Sequence, residues 1–278
     1  MRGKTIVATG ATSGIGEVAV LELARMGARV VFVARDQRRA ETTIRKLEAV
    51  APGLGHRVHQ ADLSSMAETR RVGAAIGASE PRVDALINNA GAMFADRRVT
   101  PEGLELTFAL NHMAYFVLTL ALRDRLVASA PARIVSTASV AHQGSSLDFD
   151  DLQGAKSYSG WKAYGRSKLA NILFTRELAR RLAGTGAAAN CLHPGLVATR
   201  FGDSSGGWTS RLMPLVRMFA ISPDQGADTI VYLASSPEVE GVTGEYFVKR
   251  KITEPSAAAR DDAAARRLWE TSAKLAGA

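Results

Sequence analysis

The sequence predicts an α/β fold, a doubly wound parallel sheet with helices on both faces, within a single domain. Three observations predict it. Short, β-branched apolar runs recur at Lys4–Thr9, Arg29–Ala34, Arg57–Ala61, Val83–Asn88, Arg133–Thr137, Ala188–His193 and Tyr246–Val248. Between most of them lie stretches with helical spacing. The runs are continuously apolar rather than alternating, as in strands buried on both faces of a parallel sheet.

The alternation passes the middle of the chain without a Pro/Gly/Ser linker or a shift in composition, which predicts one domain over residues 1–278 rather than two. Two segments break the rhythm, 144–160 after the fifth strand and 199–222 after the sixth. Connections of that length in a compact domain are usually functional loops or lids. The second carries Phe201, Trp208, Leu212, Met213, Leu215, Val216, Met218 and Phe219, so it reads as a helix packed on the core, as the wall of a lipophilic pocket, or as both. The Ala- and Arg-rich tail, 256–278, reads as a helix holding Leu268 and Trp269 against the body.

Composition narrows the function. The 278 residues are 46% hydrophobic and 22% charged, enough apolar content for a packed core. One cysteine, Cys191, excludes an internal disulfide framework and a multi-thiolate metal site within one subunit, and it reads as a small buried hydrophobe. His112, His142 and His193 lack ligand spacing, so no metal is expected. No stretch approaches the ~18–20 apolar residues that span a bilayer, and Ala114–Leu122 is the most apolar helix segment. Met1 is followed almost at once by the first strand, with no room for a signal peptide, so the expected location is the cytoplasm. The net charge of +8 invites a polyanion partner, yet the basic clusters at Arg35–Arg45 and Arg260–Arg267 are interleaved with Asp and Glu, as on solvated helix faces. Nucleic acid is not an expected partner, and membrane contact would be peripheral at most.

The first strand ends in Thr9-Gly10-Ala11-Thr12-Ser13-Gly14-Ile15-Gly16 and runs into the helical stretch Glu17–Met26. A glycine-rich strand-to-helix turn lets backbone approach a pyrophosphate, and the helix N-terminus favours its charge. The candidates for this cradle are Gly10, Thr12, Ser13, Gly14, Ile15 and Gly16, spaced G-x-x-x-G-x-G, and they make the fold a Rossmann-type one. At the end of the second strand an acidic residue would bond a ribose 2′-hydroxyl, whereas an arginine accommodates a 2′-phosphate. Arg35 stands there, so NADP(H) is preferred and NAD(H) is the alternative, with Asp36 directly following.

These residues resemble the short-chain dehydrogenase/reductase (SDR) family. The resemblance runs through nearly the whole chain: the glycine turn, Asp62-Leu63, Asn88-Asn89-Ala90-Gly91, Asn111, Ser139, Tyr164 with Lys168, and His193-Pro194-Gly195 with Thr199. Pro131–Val135, Phe149–Leu152, Ser167–Asn171 and Ser236–Gly241 are similar to its retinol-dehydrogenase-like branch. The resemblance implies that Asp62 and Leu63 lie beside the adenine and that Asn89, Ala90 and Gly91 line the adenosine side. It further implies that Pro194, Gly195, Val197 and Thr199 border the nicotinamide, and that Asn111 holds a water linking Lys168 to solvent. Family members pair through the helices here read as Pro101–Ala128 and Trp161–Ala183, which implies a homodimer or homotetramer. The stripe Phe108, Tyr115, Leu118 and Leu122 fits either such pairing or packing on the sheet.

The chemistry can also be argued from the residues. Tyr164 and Lys168 are four apart in one helix and so share a face. A phenol titrates near 10, but a neighbouring ammonium and an oxidised nicotinamide both favour the phenolate, which would make Tyr164 a general acid/base. Carbonyl reduction builds negative charge on oxygen, and Ser139 at a strand end can donate to it. The catalytic set is therefore Asn111, Ser139, Tyr164 and Lys168, with Tyr164 and Lys168 expected to bind the cofactor as well, and the expected activity is NADP(H)-dependent hydride transfer to or from a lipophilic alcohol, aldehyde or ketone. A non-catalytic NADP(H)-sensing protein on the same fold is the rival reading.

Overall fold

A computed structural model describes residues 1–195 and 222–277. Eight strands form one sheet: β1 (Thr5–Thr9), β2 (Arg29–Ala34), β3 (Arg57–Gln60), β4 (Ala85–Asn88), β5 (Ala132–Thr137), β6 (Ala187–His193), β7 (Tyr246–Val248) and β8 (Lys251–Ile252). Their order is β3-β2-β1-β4-β5-β6-β7-β8, parallel throughout except for the antiparallel edge pair β7–β8. The winding direction reverses between β1 and β4, and in open sheets of this kind the crevice at the strand carboxyl ends there is the ligand site.

Among the described residues, three helices cover each face. On one side α1 (Gly14–Arg25), α2 (Gln37–Val50) and α6 (Pro223–Ser235) bury Val20, Leu23, Leu47, Ile230 and Leu233 against Ile6, Phe32, Ile87 and Val135. On the other, α3 (Met66–Ser79), α4 (Leu106–Ala128) and α5 (Gly160–Arg181) bury Val72, Ile76, Phe116, Leu122, Phe174 and Leu178 against Val7, Val31, Leu86 and Ile134. Strand residues alternate between these two clusters, which explains why both parities of each strand are apolar. The C-terminal helix α7 (Asp262–Ala276) docks on α5: Leu268 is buried, and Trp269 stacks on Phe174 with centroids 5.9 Å apart.

Three details differ from the sequence reading, and one alternative that it left open is decided. The strands β3 and β4 are shorter than the apolar runs that predicted them, and the two-residue strand β8 carries too few residues to leave a pattern. Helix α4 begins at Leu106 rather than Pro101, because Glu105 caps it, its carboxylate accepting from the Thr107 and Phe108 amides. Of the two alternatives for the stripe Phe108, Tyr115, Leu118 and Leu122, the structure has packing within the subunit, with all four buried. Finally, Leu106–Ala128 forms 23 continuous helical residues, long and apolar enough by length and composition to cross a membrane. The expectation overlooked it because apolar residues are spread along it with Asn111 and His112 between them, and 72% of its most apolar window is buried inside the protein.

Candidate active site

The glycine turn is shaped by close backbone approach. A Cβ on Gly16 would come within 2.1 Å of the Gly10 carbonyl oxygen, and one on Gly10, whose φ is +66°, within 2.9 Å of the Ala90 backbone. Only glycine lets α1 start this close to the loop after β4. The loop is braced in turn. The Thr9 hydroxyl oxygen accepts from the Asn89 and Ala90 amides, Asn89 Nδ2 donates to the Gly10 carbonyl, and Thr137 Oγ1 donates to Asn89 Oδ1. The Asn89 side chain thus ties β1, β4 and β5 together at the switch point. The Ser13 hydroxyl does not cap α1, which leaves the first amides of that helix open to an anion.

Next to this turn is a cleft of about 780 Å³ lined by Thr12, Ser13 and Gly14 on one side and by Asp36, Arg38, Arg39, Arg45 and Lys46 of the α2 region on the other. Ile15 is half-buried against the α1 cluster, behind the turn. Arg35 is exposed at the end of β2, with its guanidinium 3.6 Å from Asp62. Burial raises the Asp62 carboxyl, but hydrogen bonds from Ser64 and the Arg35 charge outweigh it and hold the group below its ordinary value. Leu63 is buried in the core beneath it. Arg38 and Arg39 are not among the residues the sequence points to, because the Arg35–Arg45 cluster reads as a solvated face. The available signal was that this cluster directly follows the strand end where a 2′-phosphate would sit.

Ser139, Tyr164 and Lys168 converge at the carboxyl ends of β4 and β5. Helix α5 starts close to residues 94 and 95, where a Cβ on Gly160 would meet the Phe94 carbonyl oxygen at 2.2 Å, and it presents Tyr164 and Lys168 on one face. Tyr164 hydrogen-bonds the Ser139 side chain. Lys168 Nζ lies 5.5 Å from the Tyr164 ring centroid and donates to the Thr137 carbonyl at 2.9 Å. Burial dominates the protonation of both groups. It pushes the Tyr164 hydroxyl up to about 12, against the Ser139 hydrogen bond, and pulls the Lys168 ammonium down to about 7. In the chain by itself, then, Tyr164 is held protonated, opposite to the phenolate expected from an ammonium neighbour, because desolvation weighs on both charges.

Asn111 lies in a π-helical turn, Ala109–Met113, within α4. Its Nδ2 donates to the Ala92 carbonyl and the Ser167 hydroxyl, and its Oδ1 accepts from the Ala92 amide. Both amide protons are spent, which leaves one Oδ1 lone pair as the side chain's capacity for a water. Gly91 sits between this oxygen and Lys168, since a Cβ on it would be 3.1 Å from Asn111 Oδ1 and 3.6 Å from Lys168 Nζ. Asn171 was not singled out as a site residue. Its Nδ2 donates to the Asn111 carbonyl and to the Thr137 carbonyl that also receives Lys168. Pro194 and Gly195 follow β6 with φ +95° at the glycine, whereas Val197 and Thr199 lie outside the described residues. Among the described residues no cluster of His, Cys, Asp and Glu could hold a metal, and burial pushes the Cys191 thiol up to about 12.

Residues 4–209 match the family model described as short chain dehydrogenase. Human retinol dehydrogenase 13 is 41% identical over 283 aligned residues, which cover 99% of this chain and 85% of that protein. The crystal structure of an uncharacterized protein from Mycobacterium paratuberculosis superposes with a TM-score of 0.79 at 33% identity, covering 99% of this chain and 94% of that one. The RhlG/NADP active-site complex of Pseudomonas aeruginosa superposes with a TM-score of 0.70 at 28% identity, covering 93% and 97% respectively.

Proposed function

This chain belongs to the short-chain dehydrogenase/reductase family, as an oxidoreductase of its retinol-dehydrogenase-like branch, and we propose that it uses NADP(H) to interconvert a lipophilic alcohol with its aldehyde or ketone. The observation that carries the reading is the hydrogen-bonded pair Ser139–Tyr164 with Lys168 beside it.

The turn fits a dinucleotide. Its glycines remove the Cβ atoms that would block approach, the first amides of α1 are not capped by Ser13, and the far wall carries Arg38, Arg39, Arg45 and Lys46 beside Asp36 and Glu41. Gly10, Thr12, Ser13, Gly14, Ile15 and Gly16 would hold the pyrophosphate, Asp62 and Leu63 the adenine side, Asn89, Ala90 and Gly91 the adenosine side, and Pro194, Gly195, Val197 and Thr199 the nicotinamide. Arg35, with Arg38 and Arg39, supports a 2′-phosphate, and the RhlG complex has NADP in its active site. The bound nicotinamide supplies the hydride.

The chain's own residues supply position and protons. Ser139 Oγ donates to the substrate oxygen, where negative charge develops. Tyr164, protonated at neutral pH, gives that oxygen its proton during reduction and takes it back during oxidation. Lys168, with a pKa of about 7, exchanges protons with little cost on either side of neutrality. Asn111 holds Ala92 and Ser167 in place beside it and keeps one lone pair for the water that connects Lys168 to solvent.

A lipophilic substrate is supported by the apolar segment 199–222 and by exposed Trp161 and Val140, which flank Tyr164 and Ser139 in the chain. We assign residues 1–278 to one domain with the loop 144–160 over the substrate and a helical tail, 256–278; the second segment the sequence singles out, 199–222, lies outside the described residues but for its last residue. The protein acts in the cytoplasm as a homodimer or homotetramer, with membrane contact peripheral at most. Fluorescence titration with NADPH and NADH, followed by a panel of apolar and polar carbonyls, tests the whole reading. Tight NADPH binding with turnover of apolar carbonyls is expected; binding without turnover across the panel would favour the cofactor-sensing alternative.

A further inference from the structure

Behind Ser139 lies a buried histidine that the catalytic reading does not use. After β5 the chain makes a 3-10 turn, Val140–His142, whose His142 side chain is fully buried. Its Nδ1 is 2.6 Å from the Ser139 carbonyl oxygen, and its Nε2 is 3.1 Å from the Ser256 backbone nitrogen. A backbone amide can only donate, so Nε2 must be the unprotonated nitrogen. The ring proton therefore sits on Nδ1 and points at Ser139. The titratable groups facing the ring are Tyr246 of β7, edge-on at 5.3 Å, and His193 at the end of β6. Burial holds both histidines below their ordinary range and the Tyr246 phenol above its own, so all three are neutral.

We propose that His142 is a positioning residue: locked as its Nδ1–H tautomer by the Ser256 amide, it fastens the C-terminal segment to the Ser139 carbonyl and thereby fixes the aim of the Ser139 hydroxyl. The proposal rests on the reading of Ser139 as donor to the substrate oxygen. The geometry is direct. Ser139 is extended, at φ −166° and ψ 156°, and its Oγ accepts from the Ala141 amide, so its hydroxyl hydrogen is the group left to be shared between Tyr164 and the substrate oxygen. A donor on the carbonyl of the same residue fixes the peptide plane that sets this direction. Segment 253–260 thus becomes part of the active-site scaffold although it touches no reacting atom.

Ser256 allows a clean test. Its φ of −57° suits proline, and its hydroxyl oxygen is buried without a partner. Ser256→Pro removes the one amide that His142 accepts from, and Ser256→Ala keeps it. With the full-length protein and NADPH, Ser256→Pro is expected to lower kcat about ten-fold or more while leaving the KM for NADPH unchanged, because small misplacements of a reacting group weigh heavily on rate. Ser256→Ala should match wild type. A wild-type kcat in Ser256→Pro, beside a lost kcat in Ser139→Ala, overturns the proposal alone. A wild-type kcat in Ser139→Ala overturns the reading of Ser139 and the proposal with it. If Ser256→Pro does not fold, His142→Gln, which keeps the acceptor toward Ser256 and drops the donor toward Ser139, carries the same kinetic expectation. Independently of turnover, the nitrogen-15 spectrum of the histidine rings should show His142 protonated on Nδ1, and the Nε2–H tautomer would overturn the proposal outright.

Discussion

Lys168 Nζ reaches the Thr137 carbonyl at 2.9 Å, and its neighbour on the next turn, Tyr164, hydrogen-bonds Ser139 at the end of the same strand. The end of β5 therefore anchors both working groups of α5. If Tyr164 is the proton donor, Tyr164→Phe keeps the ring and its packing and should lower kcat by roughly 10²–10⁴. NADPH affinity should stay within about two-fold, because the ring and its packing are kept. Steady-state kinetics and fluorescence titration check both halves, and turnover near wild type would exclude the assignment.

Lys168 illustrates the stability given up to hold a buried amine. Its folded pKa of about 7 lies below the ordinary 10.5, so between those values the unfolded chain binds the extra proton and folding is weakened as pH falls. Lys168→Met should remove that penalty, and Thr137's carbonyl keeps the Asn171 donor. The expected outcome at pH 7 is a Tm raised by roughly 2–5 °C together with lost turnover. A lowered Tm in calorimetry would show that the lysine's hydrogen bond outweighs its desolvation.

Much of this was legible in the chain because it is written in short, local patterns. The strands of the sheet interior announce themselves through both-face burial, and the glycine turn through positions where any Cβ would strike Gly10 or Ala90. Residues whose role depends on distant partners were not legible. Asn171 matters through carbonyls 60 and 34 positions away, and His142 through an amide 114 positions away. Arg38 and Arg39 looked like ordinary surface charges because their cleft exists only once α2 stands opposite the glycine turn.

Cofactor choice should follow the charge at the end of β2. Arg35 is exposed and its contact with Asp62 is long, so it is free to swing toward a phosphate. Arg35→Ala with Arg38→Ala removes two such donors, each worth roughly 1.5–3 kcal/mol in a charge-assisted bond. The ratio of NADPH to NADH affinity is expected to fall by about 100-fold or more with NADH binding little changed. An equal loss for both cofactors would mean that these arginines hold the pyrophosphate or the fold instead.

Gly16 tests the cradle without touching a charge. A Cβ there would meet the Gly10 carbonyl oxygen at 2.1 Å, and that oxygen is already held by Asn89, so Gly16→Ala must push α1 away from the turn. Overpacking of this kind costs about 1–3 kcal/mol, which predicts cofactor affinity reduced roughly 5–150-fold. Turnover at saturating NADPH should recover in part. Unaltered binding by titration would show that the loop yields more easily than the bracing by Thr9 and Asn89 suggests.

Acid sensitivity should set in well above the range where carboxylates titrate. His112 is fully buried among Phe108, Phe116 and Phe174, with Nε2 at 2.9 Å from the Ser272 hydroxyl, and burial pulls its pKa down to about 4. His193 is likewise pulled to about 4, and His142 in the same direction. Between about pH 6.5 and 4 the unfolded chain takes up protons that these folded imidazoles refuse, so stability is complete above pH 6.5 and is lost as pH falls toward 4. For His112 alone the loss is on the order of a few kcal/mol. Carboxylates with lowered values, such as Asp84, add to the loss only further down the scale. Urea melts from pH 7 to 4.5 should show the decline, and the pair His112→Phe with Ser272→Ala, which removes donor and acceptor together, should make it shallower by about one proton. A slope identical to wild type would mean that His112 is already charged in the fold, with water reaching a ring that the packing of α4 against α7 keeps dry.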